Sequence, residues 1–227
     1  MRYLPLPLSA HRSAWGMDPA GAGRQCRSGS ADAPCRFCGA FAAGRQEVFH
    51  RDGDHANQAS TNLVAACSLC HLAQHLDVAA RQRSAVLAWL PEMSQAAVFM
   101  LTRSAHLALL DADADPTLEV SPARGTDAVV AAWQALSALL GREKQAQARL
   151  ETSDPGMLGA ALLALTPSAY RGRANLLGGI RLVPTGRMTV GGKDIYPGLL
   201  RAWAGRPEPK ATAPLPAPHP AAPRRAA

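Results

Sequence analysis

Over much of the second half of the chain, apolar residues recur at three- and four-residue intervals, the spacing of helices with one buried face. Val98, Leu101, Ala105 and Ala108 share such a face, and Ser94 stands before it as an N-cap. The acidic, proline-terminated run Asp111–Pro116 ends that helix. Thr126 and Asp127 cap and charge a second one carrying Val129, Trp133, Leu136 and Leu140. Its continuation, GREKQAQARLE, is polar all round and reads as solvent-facing. Asp154 followed by Pro155 marks a third start by the N-cap and first-turn preferences, with Leu158, Ala161, Leu162 and Leu165 as its stripe. A short helix is expected across Ser168–Leu177, stopped by Gly178-Gly179, and a last turn or two from Pro197 to Trp203.

Strand-like runs are shorter and fewer. Glu47–His50, Ala85–Leu90 (closed by Pro91) and Ile180–Val183 fit, and Gly191-Gly192 suggests a tight β-turn. Tyr3, Leu4, Leu6 and Leu8 form an apolar opening that either adds a strand or lies across a neighbouring surface. The pattern predicts an α+β, mostly helical fold.

Composition sharpens this picture. The 46 alanines inflate an apolar fraction of 48%, while aromatics stand at 5%. The core should be thin and alanine-rich, which favours helices. No run of about 18 apolar residues is present, so nothing in the sequence reads as a membrane span. The first 20 residues, broken by Pro5, Pro7, His11 and Arg12, do not read as a secretory signal. The formal charge is +7 over 227 residues. Part of that surplus comes from Arg206, Lys210, Arg224 and Arg225 against Glu208, in a stretch where seven prolines in 22 residues cannot join a core. Residues 206–227 therefore read as a disordered Pro/Ala/Arg tail, able to touch anionic lipid weakly.

The chemistry concentrates between residues 35 and 80. Cys35-x-x-Cys38 and Cys67-x-x-Cys70 are separated by 28 residues. Each knuckle sets two sulfurs on one side of a tight turn, and two knuckles offer four thiolates in a tetrahedron, a closed structural Zn²⁺ site. Redox use is disfavoured, because one such pair suffices there and no thioredoxin-like pattern surrounds either. Two pairs without an export signal point to metal in a reducing compartment. Cys26 is left over as a free thiol in an irregular N-terminal stretch.

The text between and after the knuckles, EVFHRDGDHANQASTNLVAACSLCHLAQH, orders a strand, a loop and a helix that starts near Ser68. His50, Asp52-Gly53, Asn57, Asn62-Leu63 and Cys67-x-x-Cys70-His71 resemble the HNH (ββα-metal) nuclease module over about 45 residues. That resemblance implies His50 as general base, Asn62 as the residue orienting its loop, and His71 as ligand of a catalytic Mg²⁺ or Mn²⁺. Asp52, Gly53 and Asn57 would build the turn. Where the module carries a second metal ligand, immediately before the base, this chain has Phe49, which cannot coordinate a cation; Asp52, Asp54 or His55 would have to supply it instead, and nothing in the spacing requires any of them. The bland alternative is that His50 and His71 buttress the turn. His55 and His75 match no motif position and are expected to be exposed.

The longer string RDGDHANQASTNLVAACSLC, preceded by CRFCGA, resembles the IcmJ/DotN family of type IVB (Dot/Icm-like) secretion and conjugation systems. LPLSAHRSAW, AWLPEMSQ and LLGGIRLVP extend the likeness over about 170 residues between 3 and 205. It implies an HNH-like zinc scaffold in the cytoplasm, or held peripherally at the inner membrane through the secretion complex. Such a scaffold would bind a segment of a DotL-type coupling ATPase and other coupling-complex proteins without catalysis. An HNH endonuclease is the alternative, and a non-cleaving nucleic-acid binder is the weakest of the three. The expected organisation is an irregular N-terminal segment (1–34) packed on an HNH-like four-cysteine zinc module (35–80), a mainly helical region (81–205) and the tail.

Overall fold

The computed structural model describes residues 3–17, 33–119 and 125–205; Cys26 and the tail lie outside them. The architecture is α+β, with more helix than strand and three two-stranded antiparallel sheets among the described residues. Strand β1 (Glu47–His50) pairs with β2 (Leu63–Ala66), Glu47 opposite Ala66 and His50 opposite Leu63. Helices α1 (Ser68–Leu72) and α2 (Leu76–Arg81) follow. Strand β3 (Ala85–Trp89) crosses to pair with the distant β4 (Ile180–Pro184).

Between these two strands run α3 (Gln95–Asp111), α4 (Asp127–Gly141), α5 (Glu143–Leu150), α6 (Pro155–Ala164) and two short helices, α7 (Pro167–Arg171) and α8 (Arg173–Leu176). A small hairpin, β5 (Thr189–Val190) and β6 (Lys193–Asp194), leads into α9 (Tyr196–Trp203). Instead of adding a strand, the apolar opening lies across the first knuckle: Leu4 N donates to Arg36 O at 2.9 Å, Ser9 N to Ala73 O at 3.0 Å, and Leu6 and Leu8 are buried.

Helix ends follow local chemistry. The Ser94 hydroxyl accepts from Ala97 N at 3.2 Å, and Asp154 Oδ1 accepts from Gly156 N and Met157 N at 2.6 and 3.0 Å. These bonds satisfy donors that the first helical turn leaves open. Thr126 makes no side-chain cap.

The buried faces differ from the simple stripes. In α3 the buried residues are Gln95, Val98, Phe99, Thr102, Ala105, His106 and Leu109, while Leu101 is 39% exposed. The helix is covered on two sides, so its buried arc is wide and centred near Thr102. Ala105 and Leu109 meet Val129, Ala132 and Leu136 of α4. Phe99 joins the main core with Tyr196 and Leu200 of α9. Gln95 fastens α3 to the sheet, its Nε2 donating to Leu182 O at 2.7 Å and its Oε1 accepting from Leu182 N at 2.8 Å. In α4, Ala132 and Leu139 are buried where the stripe points to Trp133 and Leu140: Ala132 packs with Ala105 of α3, and Leu139 packs with Val98 of α3 and with Ala88 and Val183 of the sheet. In α6, Ala161 is exposed and Gly159 takes the contact. A Cβ there would sit 2.5 Å from the Trp15 ring and 3.2 Å from Leu76 Cβ, so only hydrogen lets α6 lie against α2.

One core cluster joins Leu6, the four cysteines of the knuckles, Leu76, Leu87, Phe99, Leu158, Leu182 and Tyr196. The cysteine knuckles and the helical region thus share an interior.

Buried in that region, His106 meets the Tyr196 hydroxyl through Nδ1 at 2.9 Å, while its Nε2 has no partner among the described residues. Burial holds its pKa at about 4. The unfolded chain takes up this proton near the ordinary value of about 6.5, and the folded chain only near 4. The unfolded state therefore binds more protons in that window, and stability is lost as pH falls from about 6.5 to about 4, by on the order of 3 kcal/mol in all. Denaturant titrations at pH 7 and pH 5 should show a smaller acid loss in His106→Gln than in the parent; equal losses would contradict it.

Candidate metal centre

The first knuckle is a tight turn. Cys35 O accepts from Gly39 N and Ala40 O accepts from Cys35 N, both at 2.9 Å, with Gly39 at φ +73° directly after Cys38. Arg36 N donates to Ala65 O at 2.9 Å, which docks this turn on β2. The second knuckle is the start of α1. Cys67 takes the N-cap position, its carbonyl accepts from His71 N at 2.9 Å, and Cys70 follows on the first turn. All four cysteines are buried and free, and their sulfurs lie within 4.8 Å of one another. Cys38 and Cys67 sulfurs are 3.6 Å apart.

Sulfur contacts from Cys35, Cys67 and Cys70 hold the Cys38 thiol far below its ordinary range. The contact with Cys35 pushes Cys67 up, and burial pushes Cys70 up. Four thiolates cannot sit side by side in the interior without a cation between them. Arg103 of α3 adds an N–H donor, its Nη1 3.5 Å from Cys38 Sγ, as expected of a group around a metal thiolate. The arrangement can hold a metal ion with no open position.

A second cluster lies beside it. His50 closes β1, and its carbonyl accepts from Gln74 Nε2 at 2.5 Å. The turn after it is a network. Asp52 Oδ1 accepts from Asp54 N and Asn62 Nδ2, both at 2.9 Å; Asp52 Oδ2 accepts from Asn57 Nδ2 at 2.6 Å; and Asn62 Oδ1 accepts from Asp52 N at 3.0 Å. Against the effect of burial, the bonds from Asn57 and Asn62 keep the Asp52 carboxyl below the usual range. Gly53 turns the chain at φ +84°. The structure thus brings His50, Asp52, Gly53, Asn57 and Asn62 into one turn.

That turn carries His55 inward. Ser13 Oγ accepts from His55 N at 2.9 Å, and Gln58 Nε2 donates to His55 O at 2.7 Å and to His50 Nε2 at 3.1 Å. The His55 ring stacks on His50 with centroids 4.4 Å apart and meets His75 edge-on at 5.0 Å. On the helical side, His71 Nδ1 donates to Glu47 Oε2 at 2.6 Å, and Glu47 Oε1 accepts from Ser68 Oγ at 2.5 Å. His71 Nε2 and His75 Nε2 are 3.2 Å apart.

The expectation that His55 and His75 are exposed is overturned. His75 is fully buried and His55 half-buried, because the turn folds back over α1 instead of away from it. Burial first, then the neighbouring imidazoles, holds His55 at about 4 and His75 at about 2, and burial likewise lowers His50. Phe49 points into the core, 4% exposed, its ring 4.5 Å from that of Phe37. Motif reasoning singles out none of Glu47, His75 and Arg103, and reaches His55 only as one of three substitutes for the ligand missing at Phe49. Beyond that, the four-residue step from His71 to His75 is the only signal.

No protein-family model matches the sequence, and comparison with curated proteins finds no match.

Proposed function

We propose that this chain is a zinc-stapled, non-catalytic binding module that serves a type IV secretion or conjugation coupling complex by gripping a segment of its coupling ATPase. The observation carrying the scaffold part of this reading is the closed, four-sulfur cluster in the middle of a shared core. The 3.6 Å between Cys38 and Cys67 sulfurs is close to the edge of a tetrahedron with Zn–S bonds of about 2.3 Å, roughly 3.8 Å. The imidazoles beside it are enclosed: His50 is 7% exposed and His71 2%. The Gln58 amide donates to His50 Nε2, and so occupies the lone pair a general base would use. The secretion partner rests on the sequence likeness to the IcmJ/DotN family and on an HNH-like order of strand, strand and helix. No described helix is long and apolar enough to cross a membrane, so the module would reach a membrane complex through its partner.

The convergence of His50 and His71 about His55 favours, as a second reading, an HNH endonuclease. The two separate cleanly. The chain should co-purify with a coupling ATPase equally well with His50→Ala and lose it with Cys67→Ser, and it should leave plasmid DNA uncut with Mg²⁺ or Mn²⁺. Nicking that disappears in His50→Ala would establish the nuclease instead.

A further inference from the structure

Three of the imidazoles just described are oriented toward a common point. Glu47 accepts the Nδ1 proton of His71, which leaves the lone pair on its Nε2. His75 Nε2 faces that atom at 3.2 Å. His55 Nε2 is buried beside them with no hydrogen-bond partner among the described residues. One nitrogen from each ring lies within 4.8 Å of the others. A bond between His71 and His75 would account for the pair alone, but it leaves the His55 nitrogen orphaned in the interior.

We propose that His55, His71 and His75 form a second metal site, separate from the four-cysteine cluster, for a borderline transition-metal ion of the zinc class. Three neutral imidazoles suit such an ion and suit Mg²⁺ poorly, since Mg²⁺ requires oxygen ligands. The nearby Asp52 carboxylate is committed to Asn57, Asn62 and the Asp54 amide, and so supplies no hard ligand. In a tetrahedral site with metal–nitrogen bonds of about 2.0–2.1 Å, ligand nitrogens stand roughly 3.3 Å apart. The His71–His75 spacing of 3.2 Å matches that value. The Glu47 carboxylate on the far nitrogen of His71 is the outer partner that fixes the tautomer and orientation of a metal-bound imidazole.

The role of the ion follows from where its ligands come from. His71 and His75 belong to α1 and the start of α2, and His55 to the 52–58 turn. Ser13 of the N-terminal segment already holds that turn through the His55 amide. An ion at this point clamps turn, helix and N-terminal segment together. This proposal concerns the ion content of the chain and does not depend on the identity of its partner.

The test is metal content by elemental mass spectrometry on the full chain, purified and then dialysed against micromolar zinc. The parent should carry two equivalents per chain, and His55→Gln and His75→Asn one each, with unchanged far-UV circular dichroism. Because His75 is fully buried, His55→Gln is the variant that separates lost binding from lost folding. Loading with cobalt gives an independent view: the parent should show thiolate charge-transfer bands plus a weaker visible component, and only the latter should vanish in His55→Gln. One equivalent in the parent, or two retained in His55→Gln, would overturn the site.

Discussion

Cys67→Ser is expected to abolish the cooperative thermal transition of the whole chain, including the helices far from the knuckles. Cys67 is fully buried at the start of α1 and belongs to the same core cluster as Leu87, Phe99, Leu158 and Tyr196. A structural zinc ion contributes on the order of 10 kcal/mol to folding, as much as the entire net stability of a typical domain, about 5–15 kcal/mol. Serine is a poor zinc ligand, and it would leave three sulfurs facing one another in an interior with no cation to neutralise them. Near-UV circular dichroism should lose its aromatic signal in this variant and in the parent stripped by a strong chelator, and zinc should restore it in the parent only. A serine variant that is free of metal yet melts like the parent would show that the sulfurs do not staple the fold.

The two knuckles were legible because their information is local: a CxxC turn declares its geometry within four residues. Helix starts at Ser94 and Asp154 were legible for the same reason, since a cap needs only the next two or three amides. The second cluster was not. His55 owes its inward position to Ser13, which lies 42 residues earlier, and to Gln58, and neither contact has a sequence signature. Arg103 reaches Cys38 from 65 residues away on another helix. The helix faces were shifted for a different reason. A periodic stripe assumes one neighbour, whereas α3 has the sheet and α9 on one side and α4 on the other. Phe49 shows both halves of the lesson: its identity excluded a metal ligand, but only the Phe37 contact shows that it serves the core.

That shift in the face of α3 yields the second large effect. Phe99→Ala should destabilise the chain by about 3–5 kcal/mol, and Leu101→Ala by less than about 0.5 kcal/mol. Phe99 is fully buried, whereas Leu101 is 39% exposed. Removing the Phe99 ring opens a cavity between α3 and the core that contains Tyr196 and Leu200, two side chains fixed in place, one by its bond to His106 and both by complete burial. A rigid surround relaxes little into a cavity, which places the expected loss in the upper part of the range for such truncations. Chemical denaturation of the two variants with zinc present checks the difference, and zinc content reads a second consequence. α3 also carries Arg103, so a displaced helix would withdraw its N–H from the Cys38 sulfur and weaken zinc retention against a competing chelator in Phe99→Ala only. If the two substitutions cost the same, or if Leu101→Ala cost more, the helix would be turned so that its single-stripe face is the buried one, and the path from α3 to the four-cysteine cluster would be lost with it.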